Sequence, residues 1–161
     1  MGKPDPKLAE DAARSAPVVT DFNASASYLI CALGNTIAVL AARNLKKLVG
    51  LSLMEWRVLA ILAVEPGATP GRVIAFTKVN KSVVSRAVNA LLQRGLIARE
   101  SAPDHGLRTH LHLTEAGHLV HDRGIGSRLK AEEQLLANLS PEDRDRLVQT
   151  LRQLNQNLDD I

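Results

Sequence analysis

Between Lys81 and Arg94 the chain reads Lys-Ser-Val-Val-Ser-Arg-Ala-Val-Asn-Ala-Leu-Leu-Gln-Arg, a segment with no carboxylate in it. Wound as a helix at about 100° per residue with Val84 as origin, Ala87, Val88, Leu91 and Leu92 fall within about 80° of it and form a packing side. Ser82, Ser85, Arg86, Asn89 and Gln93 fall on the other side, between about 100° and 200°, as one contiguous stripe of hydrogen-bonding groups. Their chemistry suits the edges of base pairs. Arginine can bond guanine O6 and N7 together, asparagine or glutamine can do the same to adenine, and a small serine lets a helix approach the groove floor. An aspartate or glutamate in that stripe would repel phosphate. Lys81 and the free amides of the first turn add positive potential at the helix N-terminus.

The surroundings of this helix carry the same sign of charge. From Arg72 to His110 the basic residues are Arg72, Lys78, Lys81, Arg86, Arg94, Arg99 and Arg108, against only Glu100 and Asp104. The whole chain has a net charge of only +3 over 161 residues, so the remainder is slightly acidic. A single cysteine, Cys31, excludes an intrachain disulfide framework and suits a reducing compartment. The start shows no apolar run of signal-peptide length, and no later stretch is expected to approach the roughly 20 apolar residues of a membrane span. The expectation is a cytoplasmic protein with no membrane association. A search for nucleophile and base pairs, phosphate loops or cofactor fingerprints returns nothing, which argues against an enzyme and against a resident cofactor.

The elements that must position the stripe are legible from periodicity and punctuation. Residues 1–20, with Pro4, Pro6 and Pro17 among charged and small residues, predict a loose arm. From Phe22 to Val49, apolar residues recur at three and four with a wide apolar face, predicting a helix that needs two partners, its own core and a second subunit. Gly50 ends it and Ser52 caps a helix from Leu53 to Val64. Thr69-Pro70 opens a short helix to about Thr77, and Asn80 caps the helix from Lys81 to Arg94, which Gly95 terminates. Leu96 to Glu100 and Thr109 to Leu113 predict a hairpin with a basic tip. Thr114 caps a long helix through Leu139, which Gly117, Gly124 and Gly126 are expected to bend. Ser140-Pro141-Glu142-Asp143 opens a last helix whose stripe is Leu147, Val148, Leu151, Leu154, Leu158 and Ile161.

In this order, Leu51-Ser52-Leu53-Met54-Glu55-Trp56-Arg57-Val58-Leu59, Asn80-Lys81-Ser82-Val83-Val84-Ser85-Arg86-Ala87-Val88, Leu91-Leu92-Gln93-Arg94-Gly95-Leu96-Ile97 and Leu113-Thr114-Glu115-Ala116-Gly117 resemble the MarR (multiple antibiotic resistance regulator) family of winged-helix proteins. The resemblance covers the central half of the chain. It implies a mainly α fold with a small β-hairpin wing, divided into a flexible arm (1–20), an N-terminal dimerisation helix (21–50), a winged helix-turn-helix (51–113) and C-terminal helices completing the dimer interface (114–161). It further implies a homodimeric repressor on double-stranded, near-palindromic DNA, released by a small aromatic or amphiphilic effector. Ser82, Ser85 and Arg86 would enter the major groove, with Asn89, Gln93 and Lys81 beside them, Arg72 and Lys78 nearby, and His105 and Arg108 at the wing. The family's wing usually carries Asp and two adjacent arginines; this chain has Asp104-His105-Gly106-Leu107-Arg108 and keeps only the last.

Several residues are candidates for a switch. Tyr28, Trp56 and Arg57 could line an effector pocket, the rings stacking and Arg57 pairing a carboxylate, although Trp56 equally fits a core position. Cys31 resembles the sensing cysteine of hydroperoxide-responsive members, yet nothing basic flanks it within a turn, and a buried small hydrophobe is the plainer expectation. His110 with His112 and His118 with His121 form a candidate metal set resembling that of zinc-responsive members, but the carboxylate-histidine pairs those members use are missing from the first helix, so solvent-facing or phosphate-contacting histidines are expected and no metal. Alternatives to the ligand-released repressor are a winged-helix module that binds protein rather than DNA and a redox regulator acting through Cys31.

Overall fold

The computed structural model describes residues 21–101 and 109–159, with Ser101 and Asp159 as backbone only. The chain divides into two compact units, one up to Leu40 and one from Ala41 onward. In the first, Asp21 caps a single 3₁₀ turn, Phe22–Ala24, by accepting from Asn23 N at 2.8 Å. Ser25 is extended, so helix α1 starts at Ala26 rather than at Phe22 and runs Ala26–Val49 into the second unit. The rings of Phe22 and Tyr28 lie 5.0 Å apart.

The second unit holds the core. Helix α2, Leu53–Val64, is apolar on nearly every side and is accordingly its centre, with Trp56, Val58, Leu59 and Leu62 buried. Its start is a capping box: Glu55 N donates to Ser52 Oγ at 3.3 Å while Ser52 N donates to a Glu55 carboxylate oxygen at 2.6 Å. Helix α3, Pro70–Thr77, begins on Thr69, whose hydroxyl accepts from Arg72 N at 3.2 Å, and ends at Lys78 with φ 52°. Helix α4, Lys81–Gln93, begins on Asn80 and ends one residue earlier than the sequence suggests, with Arg94 as its cap. Gly95, at φ +65°, makes the left-handed turn that Leu96 and Ile97 need in order to fold back into the core.

Strands β1, Ile97–Ser101, and β2, Thr109–Leu113, pair antiparallel with Ile97 opposite Leu113 and Arg99 opposite Leu111. β1 is shifted by one from the expectation because Leu96 N bonds Leu91 O, closing the helix end instead of opening the strand. The segment after α2 lies along β2: Gly67 N bonds Leu111 O and Leu111 N bonds Ala68 O. Leu111 is fully buried between these layers.

Thr114 caps α5, Glu115–Leu135, which stops four residues short of the expected end as the chain tightens into turns at Leu136 and Leu139. The helix is continuous through its glycines. Two of them are contact points rather than bends: a Cβ on Gly117 would lie 2.0 Å from the Leu96 carbonyl oxygen, and one on Gly124 would lie 2.2 Å from the Trp56 ring. Helix α6, Pro141–Asp159, follows the Ser140 cap, which accepts from Asp143 N at 3.2 Å. Its Leu147, Val148, Leu151, Leu154 and Leu158 are exposed, as are Leu29, Ile30, Leu33, Ile37, Leu40 and Leu48 of α1. Ile161 lies outside the described residues.

One expectation needs correction. Helix α1 is long and apolar enough, by length and composition, to cross a membrane. No charge occurs from Phe22 to Ala42, and Gly34, Asn35 and Thr36 dilute the run without ending it.

Candidate nucleic-acid interface

Helix α4 divides as its sequence requires. Val84, Ala87, Val88 and Leu91 are buried, while Lys81, Ser82, Ser85, Arg86, Asn89 and Gln93 are all exposed. At its start Asn80 Oδ1 accepts from both Ser82 N (3.0 Å) and Ser82 Oγ (3.1 Å), which fixes the first turn and its amides. Arg86 lies back along the helix, its Nε 3.4 Å from Ser82 O. Arg94 Nη1 donates to Gly50 O at 3.2 Å, tying the end of α4 to the chain just after α1.

The other basic candidates are placed differently. Arg72 donates through Nε to both oxygens of Glu65, at 2.9 and 3.1 Å, and its guanidinium sits 4.3 Å from the centre of the Phe76 ring. The bond to Glu65, then its charge, raises the Arg72 pKa further above the ordinary arginine value. Lys78 is exposed in the turn between α3 and α4. His105 and Arg108, with Asp104, fall outside the described residues. Arg99, not singled out from the sequence, donates through Nη2 to Asn89 Oδ1 at 3.0 Å and so stands inside the stripe. Period-two alternation along β1 was the available signal, since it puts Arg99 on the face of buried Ile97, toward α4.

Among the switch candidates, Trp56 is a core residue at 4% exposure, closed over by Gly124 and by the His121 ring, which stacks parallel to it at 5.3 Å. Arg57 is exposed. Tyr28 lines an open hollow with Phe22, Ser25, Ser27 and Cys31. Cys31 is exposed rather than buried, because the apolar face of α1 that carries it has no cover among the described residues. Among the described residues His118 is exposed as expected, whereas His110, His112 and His121 are half-buried, and no group of them is placed to hold a metal. His110 Nδ1 is 2.7 Å from Gly67 O, His112 Nε2 is 3.1 Å from a Glu100 oxygen, and His121 Nδ1 is 3.2 Å from Asp122.

The MarR family profile matches residues 49–106, from the end of α1 through α4 and β1. A Thauera aromatica protein, a proposed transcriptional regulatory protein for the hcr operon, is 26% identical over 113 residues, covering 70% of this chain and 68% of its own length. The crystal structure of a MarR-family transcriptional regulator from Silicibacter pomeroyi superposes with a TM-score of 0.78 at 26% identity, over 89% of this chain and 96% of that one. Residues 49–106 thus carry the MarR family's sequence pattern, on a fold like that of MarR-family regulators. Streptococcus pneumoniae FabT, solved in complex with DNA, shares the fold with a TM-score of 0.69 and 24% identity, over 83% of this chain and 95% of that chain. By likeness to MarR-family transcriptional regulators, the helix-turn-helix is α3 and α4 and the wing is the β1–β2 hairpin.

Proposed function

We propose that the chain is a homodimeric, sequence-specific repressor that holds a near-palindromic operator and releases it when a small aromatic or amphiphilic effector binds. The observation that carries this reading is the exposed, acid-free stripe of Ser82, Ser85, Arg86, Asn89 and Gln93 on α4. Those side chains supply base-edge donors and acceptors, while Lys81 and the capped first turn supply phosphate contacts. Lys78, exposed in the turn before α4, extends the positive track toward the backbone. Arg72, engaged by Glu65, stands ready at most as a phosphate contact through its remaining donors.

A second copy of the chain is the partner that the exposed leucines of α1 and α6 call for. Two copies present two α4 stripes, which suits half-sites about one helical turn apart. A dimer interface also accounts for the membrane-length apolarity of α1 without a membrane, in keeping with a cytoplasmic protein. The hollow beside Phe22, Tyr28 and Cys31 supports a weakly polar aromatic or amphiphilic effector.

The test is an electrophoretic mobility shift on the region upstream of the protein's own gene. Salt-sensitive binding that survives excess random DNA is the expected result. Absence of binding to any fragment at low salt ends the reading and leaves a winged-helix protein-binding module.

A further inference from the structure

In strand β1 the side chains alternate, and Arg99 shares the face of Ile97, which is buried. Its partner across the ladder is Leu111, fully buried. The stem of Arg99 therefore starts at the edge of the core, and its guanidinium reaches the surface on the side where β1 packs against α4. There Nη2 donates to Asn89 Oδ1 at 3.0 Å.

Arginine has donors only, so only the amide oxygen of Asn89 can face it. That contact removes a freedom. An unheld asparagine can present its amide either way round to a base pair. Asn89, held by its oxygen, turns Nδ2 away from β1 as a donor and so favours acceptors: guanine O6 or N7, adenine N7, thymine O4. The cytosine amino group, itself a donor, is refused. We propose that Arg99 is a specificity-determining residue, fixing the donor sense in which Asn89 reads its base pair. This rests on the reading of α4 as the helix that enters DNA. Both residues are exposed, so the bond contributes little to stability and its consequence is orientation.

The experiment uses the full chain and selection from a randomised operator, followed by affinities on the selected site and its single-base variants. Asn89→Ala identifies the base pair in each half-site whose preference it abolishes. Arg99→Ala is expected to flatten preference at that same pair by on the order of tenfold while leaving the other positions sharp. In the double variant the preference there falls no further than in the larger single change. Arg99→Lys, which keeps the charge but not the planar fork, is expected to retain the salt dependence of binding and lose that one preference. Equal weakening of every sequence by Arg99→Ala, with the Asn89 pair still discriminated, overturns the proposal and makes Arg99 a phosphate contact. Additive losses in the double variant overturn it as well. A wild-type protein with no preference among sequences fails the α4 reading itself, and the proposal with it.

Discussion

Two glycines two residues apart on α5 are predicted to respond in opposite directions to the same methyl group. At Gly126 a Cβ meets nothing within 4 Å, so Gly126→Ala gains the helix propensity of alanine, about 1 kcal/mol. At Gly124 the added carbon would lie 2.2 Å from Trp56 Cζ3, 2.5 Å from Cη2 and 2.8 Å from Cε3. Carbon atoms rest at about 3.5–4.0 Å, so the indole would have to retreat by more than about 1 Å. It has nowhere to go: Trp56 is 4% exposed and lies under the parallel His121 ring. Overpacking of a filled core costs about 1–3 kcal/mol, and the rigidity of the indole puts this site in the upper part of that range. After the propensity gain, Gly124→Ala is destabilising by about 1–2 kcal/mol. For a chain of 161 residues that corresponds to a fall in Tm of roughly 2–8 °C, measured by circular dichroism at fixed protein concentration. A Gly124→Ala variant that melts higher than wild type, as Gly126→Ala should, would refute the close-packing account of α5 on α2.

Leu151→Lys, at a residue 39% exposed on α6, is expected to convert the protein from dimer to monomer in light scattering and to abolish operator binding. An unchanged dimer would place the interface elsewhere. Ser52→Ala breaks the capping box at the start of α2 and should cost about 1 kcal/mol in urea unfolding without changing base preference, since the Ser52 bonds run to Glu55 and not to a side chain of the α4 stripe. A loss of less than a few tenths of a kcal/mol would mean that water replaces the cap at no cost.

What the sequence revealed well was what local chemistry decides. Ser52, Thr69, Asn80, Thr114 and Ser140 all cap the helices that their types and positions suggest. The two sides of α4 follow from a 3.6-residue period alone. What it revealed poorly depended on partners distant along the chain. Gly117 and Gly124 read as helix weakeners until Leu96 and Trp56 are seen against them. Arg72 and Asn89 read as free polar groups, although Glu65 and Arg99 engage them. Cys31 was expected in a core, but among the described residues the apolar face of α1 is uncovered. The same fact explains why a helix suited to a second subunit also has the composition of a membrane span. Composition records how much apolar surface needs cover, not what covers it.

The central claim, that the α4 stripe reads DNA by sequence, is tested most directly by Arg86→Ala on the operator and on random DNA across a salt series. The account predicts a loss of about 1–3 kcal/mol on the operator, relaxed preference at one base pair per half-site, and nearly unchanged affinity for random DNA. Equal losses on both DNAs would contradict it and make Arg86 a backbone contact only.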